Sequence, residues 1–171
     1  NRIIVDKSVE AAFTEKFVAK VNELTVGNGM STVDVGPMIS AKQRDRLSET
    51  LTNLISAGGE LLTGGKPVNT PGYFFEPTVV RFEGRNEVMC SNELFAPIAT
   101  IFSVDGPSEA LAFANESDFG LASYVFTKDL SRAVTFGEAL AFGMVGINRG
   151  IMADPAAPFG GTKSSGVGRE A

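Results

Sequence analysis

The chain has 171 residues, 43% of them hydrophobic and 20% charged, which suits one soluble-type domain with a real core. Its formal net charge of −5 argues against nucleic acid, which asks for a basic face, and no apolar run approaches the roughly 20 residues that span a bilayer. A single cysteine, Cys90, leaves no internal disulfide and fits a reducing, cytoplasmic setting, and the absence of histidine removes His-based zinc sites and Ser-His or Cys-His pairs, so no metal site is expected.

Residues 2–5 form a short β-branched run and predict a strand. Ser8 reads as an N-cap with Glu10 in the first turn. Val9, Phe13, Phe17 and Val21 recur every four residues, predicting a helix to about Leu24 that Gly27-Asn28-Gly29 stops. Ser40 opens a second helix with Gln43 as capping-box partner, a buried face of Leu47, Leu51, Leu54 and Ile55, and Gly58-Gly59 at its end. Residues 60–63 predict a short strand, and Gly64-Gly65, Pro67 and Pro71-Gly72 a turn-rich connection. Residues 73–82 read as extended, with Pro77 disfavouring a central ladder position. A helical turn is expected over 89–93 and a strand over 98–104. Asp105 then caps a helix with Leu111, Phe113 and Ala114 inward. A strand over 121–127 follows, and Asp129 caps a helix with Ala133, Phe136 and Leu140 inward that Gly143 ends. Residues 144–148 predict a last, buried strand.

Strands and helices alternate for most of the length. Crossover helices of this size imply parallel strands covered on both faces. The expected fold class is therefore α/β, a three-layer α/β/α domain with a mostly parallel sheet, formed by residues 1–171 as one domain. Ligands of such sheets gather at the carboxyl ends of the strands. That rule directs attention to the loops after residues 144–148 and before Ile98.

The run Pro158-Phe159-Gly160-Gly161-Thr162-Lys163-Ser164-Ser165-Gly166-Val167-Gly168-Arg169-Glu170 is too rich in glycine for a helix or strand and predicts a long loop. Such a loop is either a structural connection or the lining of a site. It is not a P-loop, because Thr162 separates Gly161 from Lys163. Gly166-x-Gly168-x-x-Ala171 matches a dinucleotide fingerprint, but no strand precedes it. Asn92-Glu93-Leu94-Phe95-Ala96-Pro97 is a second candidate. Its carboxylate and aromatic could bind a ribose diol and flank a ring, or be a solvated Glu and a core Phe. Cys90 lies among Glu87 and Glu93, a setting unlike the cationic one a reactive thiolate needs.

The pattern Pro-Phe-Gly-Gly-x-Lys-x-Ser-Gly-x-Gly-Arg-Glu resembles the C-terminal region of the aldehyde dehydrogenase superfamily, and every named position of it is present. Residues 26–29, Gly36-Pro37-Met38-Ile39, Gly72-Tyr73-Phe74 with Pro77-Thr78-Val79, and residues 143–148 resemble further landmarks of its catalytic domain. The resemblance implies NAD or NADP as cofactor, Glu93 as a nicotinamide-ribose contact and Phe95 beside the nicotinamide, with Asn92 and Ala96 replacing the family's Glu and Gly. Residues 148–161 look most like the succinate-semialdehyde dehydrogenase branch, which makes Arg149, Ala153 and Phe159 the substrate-pocket candidates. Ala153 stands where that branch usually has a serine. The resemblance also implies that no catalytic residue lies in this chain. The nucleophilic cysteine would fall just upstream of Asn1, the base and nucleotide-binding domain further upstream, and an oligomerisation strand after Glu170. The expected protein is thus a homo-oligomeric oxidoreductase acting on a small aldehyde, with this fragment inactive alone. A dehydrogenase for another aldehyde, or a non-catalytic binding or assembly module of this fold, are the alternatives.

Overall fold

The computed structural model describes residues 2–86 and 93–170. Cys90 and most of the helical turn expected over 89–93 lie outside the described residues; Glu93 itself is in a loop. The chain divides into two compact units, Asn1–Val104 and Asp105–Ala171.

The first unit runs β1 (Ile3–Asp6), α1 (Lys7–Asn22), α2 (Ala41–Ser56), β2 (Glu60–Thr63), β3 (Thr78–Glu83) and β4 (Ile98–Val104). Its sheet has the order β1-β4-β3-β2, with β1 and β3 parallel to β4 and β2 antiparallel to β3. Asp6, not Ser8, caps α1. The strand feeds straight into the helix, so the carboxylate of its last residue meets the free amides and accepts the Ser8 N–H at 2.9 Å. The helix closes at Asn22, before the glycines expected to stop it.

Its inward stripe is Phe13, Phe17, Val18 and Val21, packed with Val5, Val79 and Ile101, while Val9 is 54% exposed. A strict four-residue repeat drifts around a 3.6-residue helix, which carries Val9 out of the stripe and Val18 into it. Strand residues alternate between faces. Val80, Phe82 and Phe102 therefore lie on the opposite side, where the two phenyl rings stack at 5.0 Å. The end of α2 closes on that side: a Cβ on Gly59 would fall 2.6 Å from Val80 Cγ1 and 2.7 Å from the Leu54 carbonyl. Helix, sheet and helix thus form three layers, as the α/β expectation has it.

Ser40 Oγ accepts the Gln43 N–H at 3.2 Å and starts α2 as expected. Leu47, Leu51 and Leu54 are buried, but Ile55, one residue off that face, is 44% exposed. Pro77 stands just before β3. The ladder begins at Thr78, whose N–H donates to the Pro97 carbonyl at 2.9 Å, so a central strand follows the proline without containing it.

In the connection between α1 and α2, Asp34 accepts the Thr25 hydroxyl at 2.6 Å and the Thr25 N–H at 2.8 Å. These two donors, the hydroxyl first, hold the Asp34 carboxyl below its ordinary value against a small opposing desolvation. A lowered carboxyl stabilises the loop above its unfolded value, and the stabilisation is lost as pH falls through the folded one. The Thr25 amide resonance should therefore titrate with a midpoint below that of an ordinary aspartate. A midpoint at or above it contradicts the clasp.

The second unit runs α3 (Gly106–Asn115), β5 (Phe119–Gly120), β6 (Ala122–Val125), α4 (Leu130–Ala139), β7 (Met144–Ile147) and β8 (Thr162–Lys163). Helix α4 is the crossover between parallel β6 and β7, and β5 pairs antiparallel with β8. Asp129 caps α4 through the Arg132 N–H at 3.0 Å. Asp105 makes no side-chain cap; its own N–H is taken by the Glu109 carboxylate. Leu140, not Gly143, ends α4, and Asn115 seals it by donating to the Ala139 carbonyl and accepting the Ala141 N–H, both at 2.8 Å. Strand β7 is half-buried instead of buried, with Ile147 37% exposed, because it has one ladder neighbour among the described residues. The terminal run expected as a long loop contains the short strand β8 and is further tied down by a bridge between Phe159 and Glu170.

Candidate functional site

In the first unit the loop before β4 is anchored by Leu94, which is buried, and by the Pro97 carbonyl on β3. Alternation about Leu94 turns Glu93 and Phe95 outward, and Phe95 is 82% exposed. Phe95 is thus not a core residue. Ala96 needs no special backbone: among the described residues only Asn148 and Lys163 are non-glycines with positive φ. The loop stands at the amino end of β4, not at a carboxyl end. The parallel register Ile3↔Ile101 brings the amino end of β1 to the same edge.

The carboxyl edge, where the general rule looked, is closed by charge. A hollow of about 390 Å³ there is lined by Lys7, Glu10, Arg81, Glu83, Gly84 and Ser103. Arg81 is taken by Glu83 at 2.9 Å, Glu60 at 3.3 Å and Glu10 at 3.7 Å. A guanidinium shared by three carboxylates offers no open anion site.

In the second unit the candidates follow the carboxyl end of β7. Asn148 has φ 52, a left-handed conformation that asparagine tolerates better than most residues. Its amide group accepts the Thr127 N–H at 2.9 Å and donates to the Thr127 carbonyl at 2.8 Å, joining the ends of β6 and β7. Arg149 then projects from a fixed base. Its Nε donates to the Ile151 carbonyl at 2.7 Å, and its two terminal nitrogens have no partner among the described residues. Met152 folds back over β7: a Cβ on Gly146 would lie 2.9 Å from its Cγ and Sδ. Its neighbours Ile151 and Ala153 are consequently exposed, Ile151 at 71%.

Phe159, 44% exposed, is held from both sides. Its N–H donates to the Glu170 carbonyl at 2.7 Å, and the Glu170 N–H returns to its carbonyl at 2.8 Å. Next to it Gly160 and Gly161 are buried, and a Cβ on Gly143 would fall 2.0 Å from the Gly160 carbonyl oxygen. Gly160 and Gly161 are therefore close-approach positions, Gly166 instead takes a positive φ of 115 in open space, and the cations of the run are spent on backbone. Lys163 Nζ donates to the Asn115 and Ser117 carbonyls, each at 2.9 Å, and Arg169 donates to those of Gly161 and Gly168. A lysine so engaged does not cradle a phosphate.

Glu93 and Phe95 thus share one loop of the first unit, and Arg149, Ala153 and Phe159 share one segment of the second. Sequence reasoning missed Ile151, Met152, and the roles of Asn148 and Lys163. The two large apolar side chains set between Gly150 and Ala153 in an otherwise small-residue loop were the available clue. Among the described residues no cluster of His, Cys, Asp or Glu is arranged to hold a metal, and no helix is long and apolar enough to cross a membrane.

The model of the aldehyde dehydrogenase family matches residues 1–171. The chain belongs to the aldehyde dehydrogenase family. It is 41% identical over 171 residues to a succinate-semialdehyde dehydrogenase of Paenarthrobacter nicotinovorans, covering 99% of this chain and 38% of that protein. A glutarate-semialdehyde dehydrogenase of Pseudomonas aeruginosa is also 41% identical, with 99% and 35% covered. An NADP(+) succinate-semialdehyde dehydrogenase of Escherichia coli is 39% identical, with 99% and 36% covered. Among solved structures, an aldehyde dehydrogenase from Brucella melitensis superposes with a TM-score of 0.90 at 43% identity, covering 98% of this chain and 35% of that one. A betaine aldehyde dehydrogenase point mutant from Staphylococcus aureus, solved with NAD+, gives 0.90 at 33%, with the same coverage. The chain therefore spans little more than a third of the length of these aldehyde dehydrogenases.

Proposed function

We propose that this chain is the catalytic-domain portion of a longer NAD- or NADP-dependent aldehyde dehydrogenase, homo-oligomeric and cytoplasmic, that oxidises a semialdehyde, succinate semialdehyde first, to the carboxylate. The observation that carries the reading is the shared amino edge of β1 and β4. In this family a nucleophilic cysteine stands shortly before the strand that β1 matches. The parallel register would bring such a segment beside the loop of Glu93 and Phe95.

The exposed side chains there fit a nicotinamide dinucleotide. A free carboxylate can accept hydrogen bonds from ribose hydroxyls, and an open phenyl face can cover a ring and exclude water. The dinucleotide, when bound, supplies the hydride acceptor. A thiolate from the segment before β1 would attack the aldehyde carbon, the resulting thiohemiacetal would become a thioester by losing its hydride to that acceptor, and water activated by a carboxylate base would hydrolyse the thioester to the carboxylate and free thiol. The base, like the nucleotide-binding domain and an oligomerisation strand, belongs to the remainder of the longer protein.

The second unit carries the substrate-pocket candidates. Ile151, Ala153 and Phe159 offer apolar contact for the methylenes of a short semialdehyde. Ala153 has no hydroxyl for the distal carboxylate, and a lost hydrogen bond to a charged group costs about 1.5–3 kcal/mol if nothing replaces it. The open fork of Arg149 is the replacement. The same argument supports a second reading, a different semialdehyde such as the five-carbon one, because an arginine reaches a carboxylate at more than one chain length. In the protein carrying this chain, Arg149→Ala should raise KM about tenfold or more for the preferred semialdehyde. It should leave KM for an uncharged aldehyde of similar length nearly unchanged. Equal effects on both would remove Arg149 from carboxylate recognition.

A further inference from the structure

We infer that Lys163 is a positioning residue for the aldehyde pocket, acting through backbone carbonyls to hold Phe159 in place. This rests on the reading of Phe159 as pocket wall. Lys163 stands in a run with four glycines, yet it occupies a left-handed backbone position, φ 53, that glycine would take without cost. A non-glycine there is strained, and the contacts of its side chain offset that strain.

Those contacts form a junction. The amine joins the Asn115 and Ser117 carbonyls at the end of α3 and lies 5.4 Å from the centre of the Phe142 ring. Asn115 in turn holds the end of α4 through Ala139 and Ala141. Phe142 leads into Gly143, which touches the Gly160 backbone, and Gly160 adjoins Phe159. The neighbour Thr162 adds to the same junction, its hydroxyl lying 3.2 Å from both the Gly120 and Ala141 carbonyls. The ammonium therefore ties β8 to the end of α3 and, through the Asn115 side chain, to the end of α4, with Phe159 three residues before β8. Both carbonyl contacts are to main chain, so the amine works on position and has no part in the reaction.

The test uses the protein that carries this chain, with Lys163→Met, Lys163→Arg, Phe159→Ala and the double variant Lys163→Met/Phe159→Ala. Lys163→Met should raise KM for the aldehyde about fivefold to tenfold while KM for the dinucleotide stays within about twofold. Lys163→Arg, whose fork can still serve both carbonyls, should recover most of the loss. In the Phe159→Ala background the lysine substitution should add nothing further, since its effect runs through Phe159. A fall in kcat with both KM values rising together, or full additivity with Phe159→Ala, overturns the inference and leaves Lys163 a general brace. If Lys163→Met does not fold, Lys163→Gln replaces it in each comparison, with the same expected and overturning results. An aldehyde KM indifferent to Phe159→Ala overturns the pocket reading itself; one that responds to Phe159→Ala but not to Lys163→Met overturns the positioning role alone.

Discussion

Given NAD+ or NADP+ and succinate semialdehyde, the 171-residue chain alone is expected to form no reduced cofactor and to bind dinucleotide no tighter than millimolar. Covalent catalysis requires a thiol held at the carbonyl and the hydride acceptor, and that orientation supplies about 7–11 kcal/mol of the barrier. At about 1.4 kcal/mol per tenfold, its loss alone removes at least five orders of magnitude. The residues of this chain that fit a dinucleotide are Glu93 and Phe95, exposed on a single loop. A ligand of that size is normally covered over most of its surface. Cys90, the one thiol, lies between Glu87 and Glu93 in sequence. The check is absorbance of reduced cofactor over hours at high protein concentration. Turnover by the chain alone that vanishes on Cys90→Ser would overturn this expectation and make Cys90 the nucleophile.

Gly143→Ala should be the most damaging small substitution in the second unit. The added Cβ would stand 2.0 Å from the Gly160 carbonyl oxygen and 2.8 Å from Gly160 C and Gly161 Cα. All three atoms are backbone, so no rotamer change relieves the clash. The segments must part, straining the Gly143 N–H bond to Gly120 and the Arg169 bond to the Gly161 carbonyl. Overpacking of this kind costs about 1–3 kcal/mol or more, a fall in Tm of about 2–4 °C per kcal/mol for a chain this long. Gly29→Ala is the control: nothing lies within 4 Å of its Cβ and its φ is not positive. It should shift Tm by about a degree or less. Calorimetry on both variants decides it, and equal Tm values would mean the Gly143–Gly160 contact does not hold the loop.

Local signals in the sequence carried most of the fold. Ser40 with Gln43, and the strands at 60–63 and 98–104, depend only on neighbours in the chain. Ser8 misled because the capping carboxylate, Asp6, is also the last residue of a strand, and one residue cannot be read as both by pattern alone. β8 was hidden because its partner β5 lies some forty residues earlier and a two-residue strand leaves no periodicity. The candidate site was half legible. The outward turn of Glu93 and Phe95 follows from alternation about Leu94. Their position at the amino edge does not, since it depends on the register of β1 against β4, a pairing between residues about a hundred apart. Lys163 is the clearest limit: its spacing excluded a P-loop without saying what the amine does, and only the three-dimensional position of Asn115 and Ser117 shows where it goes.

Everything proposed for this chain turns on its flanking a cysteine nucleophile carried just before β1. The direct measurement is to expose the protein that carries the chain to succinate semialdehyde and NAD(P)+, quench in acid within a turnover, and locate the succinyl thioester by peptide mass spectrometry. The acyl group is expected on a cysteine in the segment preceding β1, with none on Cys90. An acyl group on Cys90, or turnover with no thioester on any cysteine, would show that the nucleophile lies elsewhere and that the role given to the β1 edge is wrong.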